Sequence, residues 1–192
     1  GIEIVQHANT RADVIARDVP AFKQNMEKEY PAIAARYRNA LRTGKTSRGD
    51  SVTAEMRRDF TDYARLYEFF LEDMKSTPVV PGTLIVHDSL VLHRGDRTIA
   101  IKYLGKGNTA GDLVVHLPKE RILATGDLVV SPLPFAFYSH LGDWSKTLRT
   151  ITSLDAAYVL GGHGEIMTDW SYVNRLIALI DTTWEQTRAA VA

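Results

Sequence analysis

The run Gly105-Lys106-Gly107-Asn108-Thr109-Ala110-Gly111-Asp112, continued by Leu113-Val114-Val115-His116-Leu117-Pro118 and then by Ala124-Thr125-Gly126-Asp127, decides how this chain is read. It is a glycine-rich turn, an apolar strand-like run, and a second run over residues 121–125 that ends on a displayed carboxylate. A third glycine segment, Gly161-Gly162-His163-Gly164, closes the short apolar run 157–160. Glycine lets the backbone turn sharply and leaves room for a ligand. An Asp and a His placed just beyond strand ends are suitable donors for a divalent cation. Singly, each signal is ordinary, because Gly-Asp is a common turn and a lone His is commonly structural. The first loop, with its one lysine, also invites a phosphate-cradle reading. No Gly-Lys-Ser/Thr opens a helix there, however, and a strand follows instead, so the order is wrong for that motif.

Working outward, residues 84–86, 89–92 and 98–104 form further short runs separated by turn residues. Ile99, Ile101 and Tyr103 alternate with Thr98, Ala100 and Lys102, which predicts a strand with one buried face. Arg94-Gly95-Asp96 spells an adhesion tripeptide, but its place between two runs reads as a hairpin turn. Upstream, residues 11–75 read as a helical pair. Val14, Phe22, Met26, Ile33, Tyr37 and Leu41 recur at helical spacing, with Pro20 and Pro31 expected to break or kink the run. Residues 44–49 are a polar loop, and Asp50 or Ser51 is the expected cap of the next helix. There Met56, Phe60, Tyr63, Tyr67, Phe70 and Met74 make one apolar stripe, expected to pack the pair together. Downstream, Asp143 is expected to cap a helix burying Trp144, Leu148 and Ile151. A last helix from about Thr168 or Asp169 buries Val173, Leu176, Ile177, Ile180 and Trp184. This order predicts an α/β or α+β domain over residues 1–192, with 11–75 as a helical insertion within it.

Composition narrows the function. The 192 residues are 45% apolar and 24% charged, and Lys+Arg 23 balances Asp+Glu 23. A neutral balance lacks the basic stripe that displaces counterions from nucleic acid, so no nucleic-acid partner is expected. No apolar run reaches about 18 residues, so no membrane partner is expected either. With no cysteine, disulfides and thiolate metal sites are both excluded.

Taken together and in order, the segments resemble the C-terminal half of the metallo-β-lactamase superfamily. Members of that family carry a Gly-His-Thr-x-Gly-Asp loop, then a Gly-Asp whose carboxylate bridges two metals, then a Gly-His near the end. Residues 2–5, with His7-Ala8-Asn9-Thr10 after them, resemble the strand and turn just downstream of the family's main metal motif. The resemblance implies an αββα sandwich, incomplete at its N-terminus, and a zinc-dependent hydrolase in which metal-activated water attacks a carbonyl or phosphoryl group. It implies Asp127 as the catalytic, bridging carboxylate and His163 as the terminal ligand. It also implies a small-molecule substrate, with Phe135, Tyr138, His140 and Trp144 as candidate walls of its pocket.

Two departures shape the expectation. The family's His-x-His-x-Asp-His string occurs nowhere in the 192 residues, and Asn108 stands where the family has a histidine. An amide oxygen is neutral and a poorer donor than imidazole, so Asn108 completes a site without anchoring it. His7, His87, His93 and His116 are scattered singly and read as structural, as does His140 outside the pocket role given above. The expectation is therefore a truncated chain that binds no zinc tightly by itself and is inactive alone. The alternative is a non-catalytic binding or assembly module on the same fold. Losing the first half of such a sandwich would uncover an apolar sheet face. A second copy, the N-terminal segment or the helical pair is then expected to cover it.

Overall fold

The computed structural model describes residues 2–191 and divides into two compact units. One comprises the chain up to Ala12 and from Gly82 onward, the other Asp13–Pro81.

In the first unit, β1 (Val5–His7) pairs in parallel with β2 (Leu84–Val86), in register from Val5↔Leu84 to His7↔Val86. The strand expected at residues 2–5 thus lies further along. The Ile4 carbonyl accepts from Thr83 and Leu84 N–H, and pairing begins only at Val5. A five-stranded sheet follows in the order β3 (Ser89–Arg94), β4 (Arg97–Tyr103), β5 (Leu113–Leu117), β6 (Ile122–Val130), β7 (Tyr158–His163). Its first three pairings are antiparallel and β6–β7 is parallel. Gly95 and Asp96 form the β3–β4 turn, with Gly95 at φ 61°, so the Arg-Gly-Asp tripeptide is hairpin geometry.

α5 (Leu141–Thr152) is the crossover between β6 and β7, and α6 (Ser171–Val191) ends the chain. Val114, Leu123, Leu128 and Val129 from the sheet pack with Trp144, Leu148 and Ile151 of α5 and Val173, Leu176, Ile177 and Ile180 of α6. Each such side chain, fully buried, contributes about 1.5–3 kcal/mol. Strand alternation sends Leu90 and Leu92, Ile99 and Ile101, Val115 and Leu117 to the opposite sheet face. None of these six is buried. α5 begins two residues before Asp143, and its N-cap His140 gives no side-chain hydrogen bond. The Asp169 carboxylate accepts from Ser171 N–H at 2.7 Å, the first residue of α6.

The second unit is mainly helical. α1 (Ala8–Asp13) leads into it, followed by α2 (Val19–Gln24), α3 (Tyr30–Thr43) and α4 (Ala54–Asp73). Pro20 and Pro31 do not break the run. Each stands at the start of a helical piece behind a widened π-turn segment, Val14–Asp18 before the first and Asn25–Glu29 before the second. A proline ring donates no hydrogen bond to the carbonyl four residues back and crowds it. Those carbonyls, on Ala16 and Glu27, lie inside the widened turns, where longer-range bonding relieves the clash. α3 ends on Gly44 at φ 68°, whose N–H reaches the Ala40 carbonyl at 2.9 Å. The cap of α4 is Thr53, not Asp50 or Ser51. Its hydroxyl accepts from Met56 N–H at 3.1 Å, while Ser51 is drawn into a bridge with Lys45. The aromatic stripe forms the α3–α4 seam, with Tyr37 stacked on Tyr63 at 5.4 Å and Tyr30 edge-on to Phe70 at 5.3 Å.

Candidate metal centre

Asp127 and His163 come from adjacent parallel strands. The turn expected at Thr125-Gly126-Asp127 lies inside β6, and Gly161-Gly162-His163 lies inside β7. Register shifts between Ala124 and Gly126 and between Gly126 and Val130 make this an irregular stretch of the ladder. Such bulges re-aim side chains, and here the carboxylate comes toward the neighbouring strand. Asp127 Oδ1 and His163 Nε2 stand 4.0 Å apart, with half or more of each side chain exposed.

The approach depends on glycine. A Cβ at Gly162 would fall 1.7 Å from Asp127 Oδ1 and 2.7 Å from the Gly126 carbonyl carbon. The base of the site is pinned by backbone. Ser131 N–H donates to the His163 carbonyl at 3.2 Å, and the Tyr172 hydroxyl donates to the Val130 and Pro132 carbonyls at 2.5 and 3.0 Å.

Asn108 lies in the glycine loop after β4. Asp112 organises that loop by accepting from Thr109 N–H at 2.8 Å and from its hydroxyl at 2.7 Å. The His140 N–H closes on the Gly107 carbonyl at 2.8 Å. Asn108 Oδ1 is buried and has no hydrogen-bond partner among the described residues. An unsatisfied buried acceptor costs about 1–3 kcal/mol, so this oxygen is suited to a cation or an incoming donor. At the loop's far side the Tyr103 hydroxyl donates to the Ala110 carbonyl at 3.2 Å. Burial, then the Asp112 and Asp143 carboxylates, pushes its phenol above the ordinary 10.0, so it remains a donor.

The remaining candidates divide. Phe135 and Tyr138 are exposed on the segment after β6, and His140 is half-buried. Phe137, on the same segment, is 84% exposed and stacks on Phe135 at 6.0 Å. Its signal in the sequence is the two-residue spacing that puts both rings on one side of an extended segment. Tyr172 has no comparable signal, since it merely precedes the buried stripe of α6. Trp144 is a correction: it is wholly buried, and its indole N–H donates to the Leu128 carbonyl at 3.1 Å. α5 turns this ring into the core, so Trp144 supports the sheet instead of lining a pocket. His7 and His116 are also buried, each reaching a backbone carbonyl.

The donors fit a zinc-type cation in kind but not in number. Two atoms sharing a tetrahedral zinc at 2.0–2.1 Å stand roughly 3.3 Å apart, within a small rotation of the observed separation. Catalytic zinc takes three protein ligands. Among the described residues no group of three His, Cys, Asp or Glu side chains is placed to hold a metal ion.

The family model described as the metallo-beta-lactamase superfamily matches residues 16–163. A metallo-beta-lactamase type 2 from Elizabethkingia meningoseptica is 26% identical over 102 residues, covering 50% of this chain and 41% of that protein. Metallo-beta-lactamase IND-1 from Chryseobacterium indologenes is 29% identical over 108 residues, covering 53% and 44%. The matches therefore span under half the length of these curated relatives. Among solved structures, DIM-1 metallo-beta-lactamase is 26% identical with a TM-score of 0.47, covering 62% of this chain and 56% of that one. The metallo-beta-lactamase from Pontibacter korlensis is 20% identical with a TM-score of 0.49, covering 57% and 54%. With most of its length matched by the family model, this chain belongs to the metallo-β-lactamase superfamily, a family of metal-dependent hydrolases.

Proposed function

We propose that the chain carries the rear part of a metal-dependent hydrolase site, in which Asp127 and His163 are two ligands of a zinc-type cation and Asn108 is a lesser donor. The observation that carries this reading is the 4.0 Å separation of Asp127 Oδ1 and His163 Nε2 across two parallel strands, with Gly162 clearing the space between. When bound, such a cation makes water nucleophilic near neutral pH and offsets the negative charge that develops on the substrate. The chain's own residues hold the geometry. The β6–β7 ladder fixes the two ligands, Asp112 fixes the Asn108 loop, and Phe135, Tyr138 and His140 present an apolar and hydrogen-bonding wall to a small substrate. The other ligands come from outside the described residues, so the chain alone binds zinc loosely and turns over no substrate.

Equilibrium dialysis against zinc tests the ligand assignment. Asp127→Ala and His163→Ala should each weaken zinc binding by about tenfold or more, a loss of about 1.4 kcal/mol per decade. Affinity unchanged in both variants would defeat it.

The second reading, a non-catalytic binding or assembly module, draws on the lack of a third ligand among the described residues. It predicts that Asp127→Ala and His163→Ala leave zinc binding where it was.

A further inference from the structure

The end of β6 is fastened by a side chain that stands outside the ligand set. Val130 closes that strand and pairs with His163 of β7 in the parallel register. Ser131 follows at once, and its N–H donates to the His163 carbonyl at 3.2 Å. From Ser131 to His140 the chain forms neither helix nor strand. A strand end that runs into irregular chain is where a ladder opens first.

Tyr172 closes this end. Its hydroxyl carries one proton, shared between the Val130 carbonyl at 2.5 Å and the Pro132 carbonyl at 3.0 Å, so it clasps the chain on both sides of Ser131. The ring is itself held. It stands in the first turn of α6, where the Asp169 carboxylate accepts from Ser171 N–H and the next residue, Val173, is wholly buried. It packs partly buried against the core, and the Arg175 guanidinium lies 5.7 Å from its centre. The fit is close on the other side as well. A Cβ at Gly164, the residue after His163, would fall 2.7 Å from Ser131 Cβ and 3.2 Å from the Ser131 carbonyl oxygen. A side chain there would push Ser131 off the His163 carbonyl.

The clasp matters because packing does little to orient His163. Its side chain is 69% exposed, so the direction of the imidazole follows from where its backbone is held. Held as observed, Nε2 stands 4.0 Å from Asp127 Oδ1. We infer that Tyr172 is a positioning residue for the cation site: it holds the Val130 and Pro132 carbonyls so that Ser131 keeps the His163 backbone, and with it the imidazole, beside Asp127. This inference rests on the reading of Asp127 and His163 as ligands, and adds to it a residue that acts only through the strand end.

Tyr172→Phe removes the hydroxyl and keeps the ring. Ile177→Val, in the buried stripe of the same helix, is the control for lost packing. In the metal-free full chain, amide hydrogen exchange at Ser131 should run about three- to tenfold faster in Tyr172→Phe, the worth of one hydrogen bond, with the Val159 and Ile177 amides unchanged. Dialysis against zinc should then show binding several-fold weaker than in the native chain, though less weakened than in His163→Ala. Ile177→Val should lower the thermal midpoint and leave both zinc binding and Ser131 exchange as they were. Unchanged exchange at Ser131 would overturn the inference, as would native zinc affinity in Tyr172→Phe or an equal loss in Ile177→Val. Native affinity in His163→Ala is a separate failure: it removes the ligand assignment, and the inference with it.

Discussion

At the scale of single residues, the site rests on what glycine omits. Gly162→Ala would drive a methyl group into the Asp127 carboxylate and the Gly126 backbone. We expect it to weaken zinc binding as much as Asp127→Ala does and to cost about 1–3 kcal/mol of stability through overpacking, read by dialysis and thermal melts. Trp144 and Phe135 make a contrasting pair. Trp144→Ala should cost about 3–5 kcal/mol by emptying the core, whereas Phe135→Ala should leave the thermal midpoint in place, because its ring is 74% exposed. Asp127 and His163 were legible as candidates because residue type, flanking glycines and order all pointed to the same chemistry. Trp144 was misplaced because nearness to the loop in sequence says nothing about which side of α5 the ring leaves. That is set by the core formed with Leu128, Leu148 and Ile151.

At the scale of elements, the regular parts were readable and the irregular ones were not. β5 occupies the residues its apolar run predicts, 113–117, because turn residues bound it on both sides. β6 runs five residues past its expected end, since a bulge lets a Gly-Asp turn signal sit inside a strand. Likewise, Pro20 and Pro31 read as breaks, but widened turns absorb them. The cap of α4 shows how narrow such choices are: Asp50, Ser51 and Thr53 all suit the role, and only Thr53 reaches a free N–H of the first turn. Thr53→Ala should therefore cost about 1 kcal/mol, measured by denaturant unfolding, while Ser51→Ala should cost less. The start of α6 carries a pH signature. Hydrogen bonds from the Ser171 side chain and backbone hold the Asp169 carboxyl below its usual 3.8. A carboxyl lowered in the folded state stabilises fully above its unfolded pKa, and that support is lost as pH falls through the folded value. Acidification below the carboxylate range should thus lower the melting temperature of the native chain more than that of Asp169→Asn. Parallel curves would remove Asp169 from the account.

At the scale of the whole molecule, the five-stranded sheet has one face buried under α5 and α6 and one whose apolar positions stay partly in water. Leu90, Ile99, Ile101 and Val115 stand together there through the β3–β4–β5 register, and none carries charge. Each of the four is half-buried, so this face is only partly open to water. We propose that a second copy of this chain covers it, with the N-terminal segment or the helical pair as the covers that a negative result would leave. Sedimentation velocity of the isolated chain should then show association that grows with concentration, and Ile101→Lys should abolish it. A wild-type chain that sediments as a monomer at every concentration would exclude the self-pairing form. The family resemblance anticipates an uncovered apolar sheet face but not which strands form it, because an alternating strand reads the same whether its second apolar layer is local or supplied by another molecule.

The pairing of β1 with β2 has an engineering consequence. These strands run side by side in the same direction, yet the helical unit from Asp13 to Pro81 is threaded between them. Joining parallel neighbours requires only about a dozen residues. Most of that excursion is therefore surplus to the connection, and a shortened or exchanged helical segment is expected to leave the β1–β2 pairing formed.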